Sequence, residues 1–126
     1  MTDAPLPEVS PTLRLRVLFD GGGWLGPGKA DLMELIRETG SISAAGRRMG
    51  MSYKRAWSLI EELNTMFRAP LVQSVRGGAK GGGAQLTEIG DKVLAHYRTA
   101  ERAAAKGARA DLDALAALRP DMSGGK

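Results

Sequence analysis

The chain has no cysteine and a single histidine, His96, among its 126 residues. Disulfide frameworks, thiolate metal sites, cysteine nucleophiles and multi-histidine metal centres are therefore excluded. Aromatic residues are scarce, at 5% of the sequence. No apolar run approaches the roughly 18 to 20 residues that span a bilayer, so no membrane partner is expected. The opening residues, MTDAPLPEVSP, lack the basic-then-apolar order of a signal peptide, and a cytoplasmic location is expected. Paired carboxylates at a plausible site, a Ser-His-Asp set and a metal cluster are all missing as well, so the chain is not expected to be an enzyme or to need a cofactor or metal.

What is present is positive charge in one place. The net charge is +4, but residues 41 to 87 hold seven basic residues against two acidic ones, a balance of +5, while eleven and twelve elsewhere leave −1. An excess confined to one segment is the footprint of a nucleic-acid face, whereas solvated helices usually mix the signs. A merely soluble basic surface is the plainer alternative.

That segment contains GSISAAGRRMGMSYKRAWSLIEEL, Gly40 to Leu63. Ser41 or Ser43 can cap a short helix whose inward face is Ile42, Ala45 and Met49. Gly50 suits a tight turn that needs positive φ, Met51 packs inward after it, and Ser52 can cap a second helix. At about 100° per residue, Ala56, Leu59, Ile60, Leu63 and Phe67 share one side of that helix and Lys54, Ser58 and Glu61 the other, with Tyr53, Arg55 and Trp57 on the flanks. This is the pattern of a helix-turn-helix, in which the first turn of the second helix meets base edges and phosphates. Lys54 and Arg55 are the candidates for phosphate or guanine contacts, Tyr53 and Ser58 for smaller polar ones, and Arg47 and Arg48 on the preceding helix for the phosphate backbone.

The flanking chain supplies a scaffold. Residues 1–11 read as an arm with three prolines, and 12–105 as the domain. Leu13 to Phe19 alternates like a half-buried strand with Arg14 and Arg16 outward, and Trp24, set among glycines, reads as a core plug. Lys29 to Thr39 forms a helix with Leu32, Met33, Leu35 and Ile36 inward and Asp31, Glu34, Arg37 and Glu38 outward, ended by Gly40. Leu71 to Val75 and Gln85-Leu86 are strands joined by RGGAKGGG, Arg76 to Gly83, a glycine-rich wing whose backbone can approach a phosphate chain while Arg76 and Lys80 neutralise it. A nucleotide-cradling loop is the competing idea, but Lys80 is followed by glycines and a strand rather than by Ser or Thr and a helix. A plain flexible tip is the other alternative.

Thr87 caps a long final helix with Ile89, Val93, Tyr97, Ala100 and Ala104 as its stripe; His96 lies beside it as an ordinary surface side chain. The pattern continues through Leu112 and Leu115 as a helical extension over 106–120, with Gly107 a weak point, Pro120 a stop and 121–126 a tail. Such a helix suits packing against its twin in a homodimer, the alternative being packing on its own domain. The expected fold is mainly α with a small β-sheet, a winged helix-turn-helix with a long C-terminal dimerisation helix.

The order of these elements, with TGSISAAGRRMGMSYKRAWSLIEELN (Thr39 to Asn64), GGAKGGG (Gly77 to Gly83) and LTEIG (Leu86 to Gly90), resembles the DNA-binding domain of ModE-type molybdate-responsive regulators. These are related in turn to the winged-helix domain of LysR-type regulators, and the resemblance covers roughly residues 13 to 105. It implies a dimeric winged helix-turn-helix that binds double-stranded promoter DNA and controls transcription. Ser52, Tyr53, Lys54, Arg55 and Trp57 match the family's reading motif and Lys80 its wing. Full-length members add oxyanion-binding modules downstream of this domain that the sequence to Lys126 does not include, so molybdate binding is not expected of these residues. The alternative function is an assembly module whose basic face serves an acidic protein partner.

Overall fold

A computed structural model describes residues 11–75 and 83–120. Its elements run β1 (Val17–Leu18), β2 (Trp24–Leu25), α1 (Pro27–Thr39), α2 (Ile42–Arg48), α3 (Tyr53–Met66), β3 (Val72–Val75), β4 (Gly83–Leu86), α4 (Glu88–Gly107) and α5 (Arg109–Ala117). The strands form two antiparallel pairs, β1 with β2 and β3 with β4. This is the mainly helical architecture of a winged helix-turn-helix, with the small sheet divided in two.

The first expected strand shrinks because its partner is short. Only Val17 and Leu18 find opposite residues, Leu25 and Trp24. The alternation upstream survives without a ladder: Leu13 and Leu15 are half-buried while Arg14 and Arg16 are exposed. Trp24 is not the core plug expected from its setting. It is half-buried at the surface of the core, with the Arg16 guanidinium 4.2 Å and the Lys29 ammonium 3.9 Å from its ring centre.

Helix α1 starts at Pro27, two residues ahead of the expected Lys29, because proline is tolerated where the N–H has no intrahelical partner. It ends at Gly40, whose φ of 73° opens the left-handed turn and lets its N–H bond to Ile36. Leu32, Met33 and Ile36 are fully buried at the centre of the core. Around them pack Ile42 and Ala45 of α2, Ala56, Leu59, Ile60 and Leu63 of α3, and Leu94 and Tyr97 of α4.

The β3–β4 pair is fastened to the helices by a few side chains. Asn64 of α3 accepts from the backbone N–H groups of Leu71 and Val72, at 2.9 and 3.0 Å, and donates to the Val72 carbonyl. On the other side, the Ala84 N–H bonds to the Gly40 carbonyl at 2.9 Å. The Thr87 hydroxyl accepts from the Gly90 N–H, capping α4, and also donates to the Pro70 carbonyl. A Cβ on Gly90 would run into the Leu71 carbonyl oxygen. The Leu-Thr-x-x-Gly motif therefore joins α4 to the start of β3.

Helix α4 differs from its expected stripe. Its buried residues are Gly90, Leu94, Tyr97 and Arg98, with Ile89 and Val93 half-buried beside them and Ala100 exposed. The helix is turned so that Arg98, 4% exposed, points inward to Glu34 of α1. Glu34 is buried too, which corrects its placement on the outer face of α1. Arg98 meets Glu34 at 2.8 Å, Asp31 at 2.7 Å and Glu101 at 3.0 Å. Burial opposes its charge, but the hydrogen bonds it donates to Asp31, Glu34 and Glu101 outweigh that cost and hold its pKa above the ordinary guanidinium range. Beside it, the Tyr97 hydroxyl donates to the Leu15 carbonyl at 2.7 Å. Burial, and then the nearby Glu101 carboxylate, push the Tyr97 phenol up to about 12.

The expected single C-terminal helix breaks at Ala108, next to the weak point Gly107, into α4 and α5. Helix α5 buries no residue; its Leu115 is 61% exposed, and Leu118 just past its end is 83% exposed. No helix among the described residues is long and apolar enough to cross a membrane.

Candidate nucleic-acid interface

Two helices and one glycine hold the candidate surface in place. The Ser41 hydroxyl caps α2 by accepting from the Ala44 N–H at 3.0 Å. Gly50 turns the chain with φ 72°, its N–H bonded to the Arg47 carbonyl. The Ser52 hydroxyl then caps α3 by accepting from the Arg55 N–H at 3.0 Å. The two helices come close at Gly46, where an added Cβ would lie 3.0 Å from the Ala56 methyl. Small residues at 44 to 46 and 56 are what permit that approach.

The far end of α3 is anchored by charge as well as packing. Lys29, 2% exposed, places its ammonium 3.0 Å from Glu62 and 3.1 Å from the Trp24 carbonyl, over the Trp24 ring. Asn64 ties the next turn to β3. With Ala56, Leu59, Ile60 and Leu63 in the core, α3 is fixed in rotation and direction.

That orientation leaves Ser52, Tyr53, Lys54 and Arg55 exposed together on the first turn. Among the described residues, neither Lys54 nor Arg55 has an acidic partner. Two unneutralised cations thus stand at the exposed start of a rigid helix. Ser58 and Trp57 are half-buried one turn later. Trp57 packs against the core, so it belongs only partly to the outer flank on which its helical phase put it. Its ring meets Tyr53 edge-on, 6.2 Å between centroids.

Arg47 and Arg48 are both exposed on the preceding helix, but their surroundings differ. Arg47 donates to the Ser43 hydroxyl at 2.9 Å and has no acidic partner among the described residues. Arg48 lies 3.5 Å from Glu38, a solvent-exposed pair that a phosphate can displace at small cost. Arg76 and Lys80 lie outside the described residues; the base of the wing is described, with Val75 opposite Gly83.

Sequence reasoning missed Lys29, Asn64 and Arg98, which hold the site's scaffold together. Lys29 figures in the sequence only as the start of a helix, and Arg98 is not singled out. The one signal was Arg98 falling four residues after Leu94 and one after Tyr97, within an otherwise apolar strip. Among the described residues no group of three or more histidines or carboxylates is arranged to hold a metal ion.

The family model described as the bacterial regulatory helix-turn-helix protein, lysR family, matches residues 30–91. This stretch runs from α1 through the turn, α3 and both strands of the wing to the start of α4. The molybdenum-pterin-binding protein MopB of Rhodobacter capsulatus is 43% identical over 90 residues, which are 71% of this chain and 33% of MopB. The molybdenum transport protein ModE of Azotobacter vinelandii is 40% identical over 88 residues, 70% of this chain and 33% of its own length. The DNA-binding transcriptional dual regulator ModE of Escherichia coli K12 is 39% identical over 71 residues, 56% of this chain and 27% of its own.

Residues 30–91 carry a lysR-type helix-turn-helix domain, in a chain similar to proteins named ModE and MopB. The chain spans about a third of the length of the curated relatives it matches. The first turn of α3, the Gly50 turn and the Thr87–Gly90 cap all fall inside the lysR-family stretch, whereas α5 and most of α4 lie beyond it.

Proposed function

We propose that this lysR-type domain is the DNA-reading part of a transcriptional regulator and binds duplex promoter DNA in the cytoplasm as a homodimer, without catalysis. The observation that carries the reading is the pair of unpaired cations, Lys54 and Arg55, exposed on the first turn of a helix fixed to the core. In this reading α3 enters the major groove, Lys54 and Arg55 contact phosphate or guanine, Tyr53 and Ser58 lie against base edges, and Arg47 and Arg48 meet the backbone. The same reading assigns Arg76 and Lys80 to the neighbouring phosphates or minor groove. A relative described as a DNA-binding transcriptional dual regulator supports the same assignment.

Dimerisation is assigned to the C-terminal helices, because α5 has no fully buried residue and leaves Leu115, with Leu118 just past its end, exposed to solvent. In this reading the second copy supplies the second α3 helix, for a neighbouring half-site on the DNA. The molybdenum in the names of some relatives is not part of what residues 30–91 are proposed to do.

Equilibrium binding to duplexes selected from a random pool tests the reading. Lys54→Ala and Arg55→Ala should each weaken binding by about 1 to 3 kcal/mol at matched salt, with the fold unchanged. Binding should fall steeply and linearly on a log–log plot against salt. Parent-like affinity in both variants overturns the assignment of the reading head. A shallow salt dependence favours an acidic protein partner instead.

A further inference from the structure

The first turn of α3 presents an aromatic ring beside its cations. Tyr53 is 58% exposed, the one large apolar side chain standing out from this turn. Its hydroxyl has no hydrogen-bond partner among the described residues. Positions 53 and 57 lie one helical turn apart on the same flank, and side chains at that spacing touch. Trp57 is itself packed on the core, and the two rings meet edge-to-face at 76°. The indole therefore braces the phenol from the side, limiting the directions in which it can swing.

Lys54 and Arg55 supply what a phosphate or a guanine edge requires. A braced apolar ring contributes nothing to either, and left in water it gains little for the fold. In the major groove one base carries an apolar group at its edge, thymine with its 5-methyl, and apolar side chains read it by contact. We propose that Tyr53, held by Trp57, is a specificity-determining residue that reads the thymine methyl group in the site bound by α3. The inference rests on the DNA-binding reading above and adds the chemical feature to which this face is tuned. It differs from the smaller polar contact that residue type alone assigned to Tyr53, because the ring rather than the hydroxyl makes the contact.

The experiment uses duplexes that the full chain selects from a random pool. Each thymidine is replaced in turn by deoxyuridine, which deletes one methyl and leaves every hydrogen-bonding group of the base in place. At the position read by Tyr53 the replacement should weaken binding about four-fold, the effect of withdrawing one buried methyl group. Tyr53→Phe keeps the ring and should keep that four-fold discrimination. Tyr53→Ala should bind thymidine and deoxyuridine duplexes alike, and because the side chain is exposed its circular dichroism and melting temperature should match the parent's. A retained duplex with no deoxyuridine-sensitive position overturns this inference alone, as does undiminished discrimination in Tyr53→Ala. Loss of discrimination in Tyr53→Phe assigns the contact to the hydroxyl and overturns it as well. If the parent retains no duplex from the pool, the DNA-binding reading fails and this inference with it.

Discussion

The outer turn of α3 and the interface between α1 and α4 are both built on basic residues, yet the two regions treat charge in opposite ways. Arg98 sits inside, 4% exposed, with carboxylates of Asp31, Glu34 and Glu101 around it. Lys54 and Arg55 stand outside with no acidic partner among the described residues. A buried cation must be matched within its own chain, since the interior offers no water to take the place of a missing counter-charge. An exposed cation has no such requirement and keeps its charge for whatever approaches it. Composition counts the two kinds alike; the counter-charges separate them into scaffold and candidate interface.

The largest expected effect comes from the inner region. Arg98→Ala leaves Glu34 buried without its partner and should cost about 3 to 5 kcal/mol, read as a fall in melting temperature and urea midpoint. Lys54→Ala, by contrast, should leave both within about 0.5 kcal/mol of the parent, as surface changes generally do. Equal losses in the two variants would erase the distinction.

Asn64→Ala comes next. It removes the acceptor shared by the Leu71 and Val72 N–H groups, and leaving them unsatisfied should cost about 1 to 3 kcal/mol in chemical unfolding. Amide exchange should quicken first at the start of β3.

The third prediction is a pH dependence. Tyr97 ionises at about 12 in the fold and near its ordinary value of 10 when unfolded. Below pH 10 both states hold the proton and the contribution is complete. Between pH 10 and 12 only the unfolded chain releases it, so stability should decline by at most about 1.4 kcal/mol per pH unit. Tyr97→Phe should lose this component of the alkaline decline while other groups still titrate.

Smallest is the effect of Glu38→Gln, which removes the counter-charge 3.5 Å from Arg48. Stability should change by no more than about 1 kcal/mol. Binding to duplex DNA should become tighter, because Arg48 would then reach phosphate without leaving a partner. Unchanged or weaker binding would place Arg48 away from the DNA.

Local chemistry makes much of the candidate site legible in the order of residues alone. Ser41, Ser52 and Thr87 each cap the helix that follows, and Gly50 takes the positive φ its place in the turn requires. Each outcome depends on residues within a few positions of one another, so the pattern of the chain suffices. The inward face of α3 is legible for the same reason, being set by one helix period. Trp24 and the Arg98 side of α4 are misread from sequence because their environments come from other segments. Trp24 is covered by cations rather than by apolar groups, and the rotation of α4 follows from partners on α1.

The sequence by itself determined that the chain would fold as a small, mainly helical winged helix-turn-helix with its positive excess around the turn. Those properties follow from periodicity, caps and charge counts, which are local or additive. Only the tertiary structure decided which charges are occupied. Arg98 finds Glu34 across 64 positions of sequence, and Lys29 finds Glu62 from another helix. Coulomb attraction depends on separation in space and on burial, and neither is written in the order of residues until the core has formed.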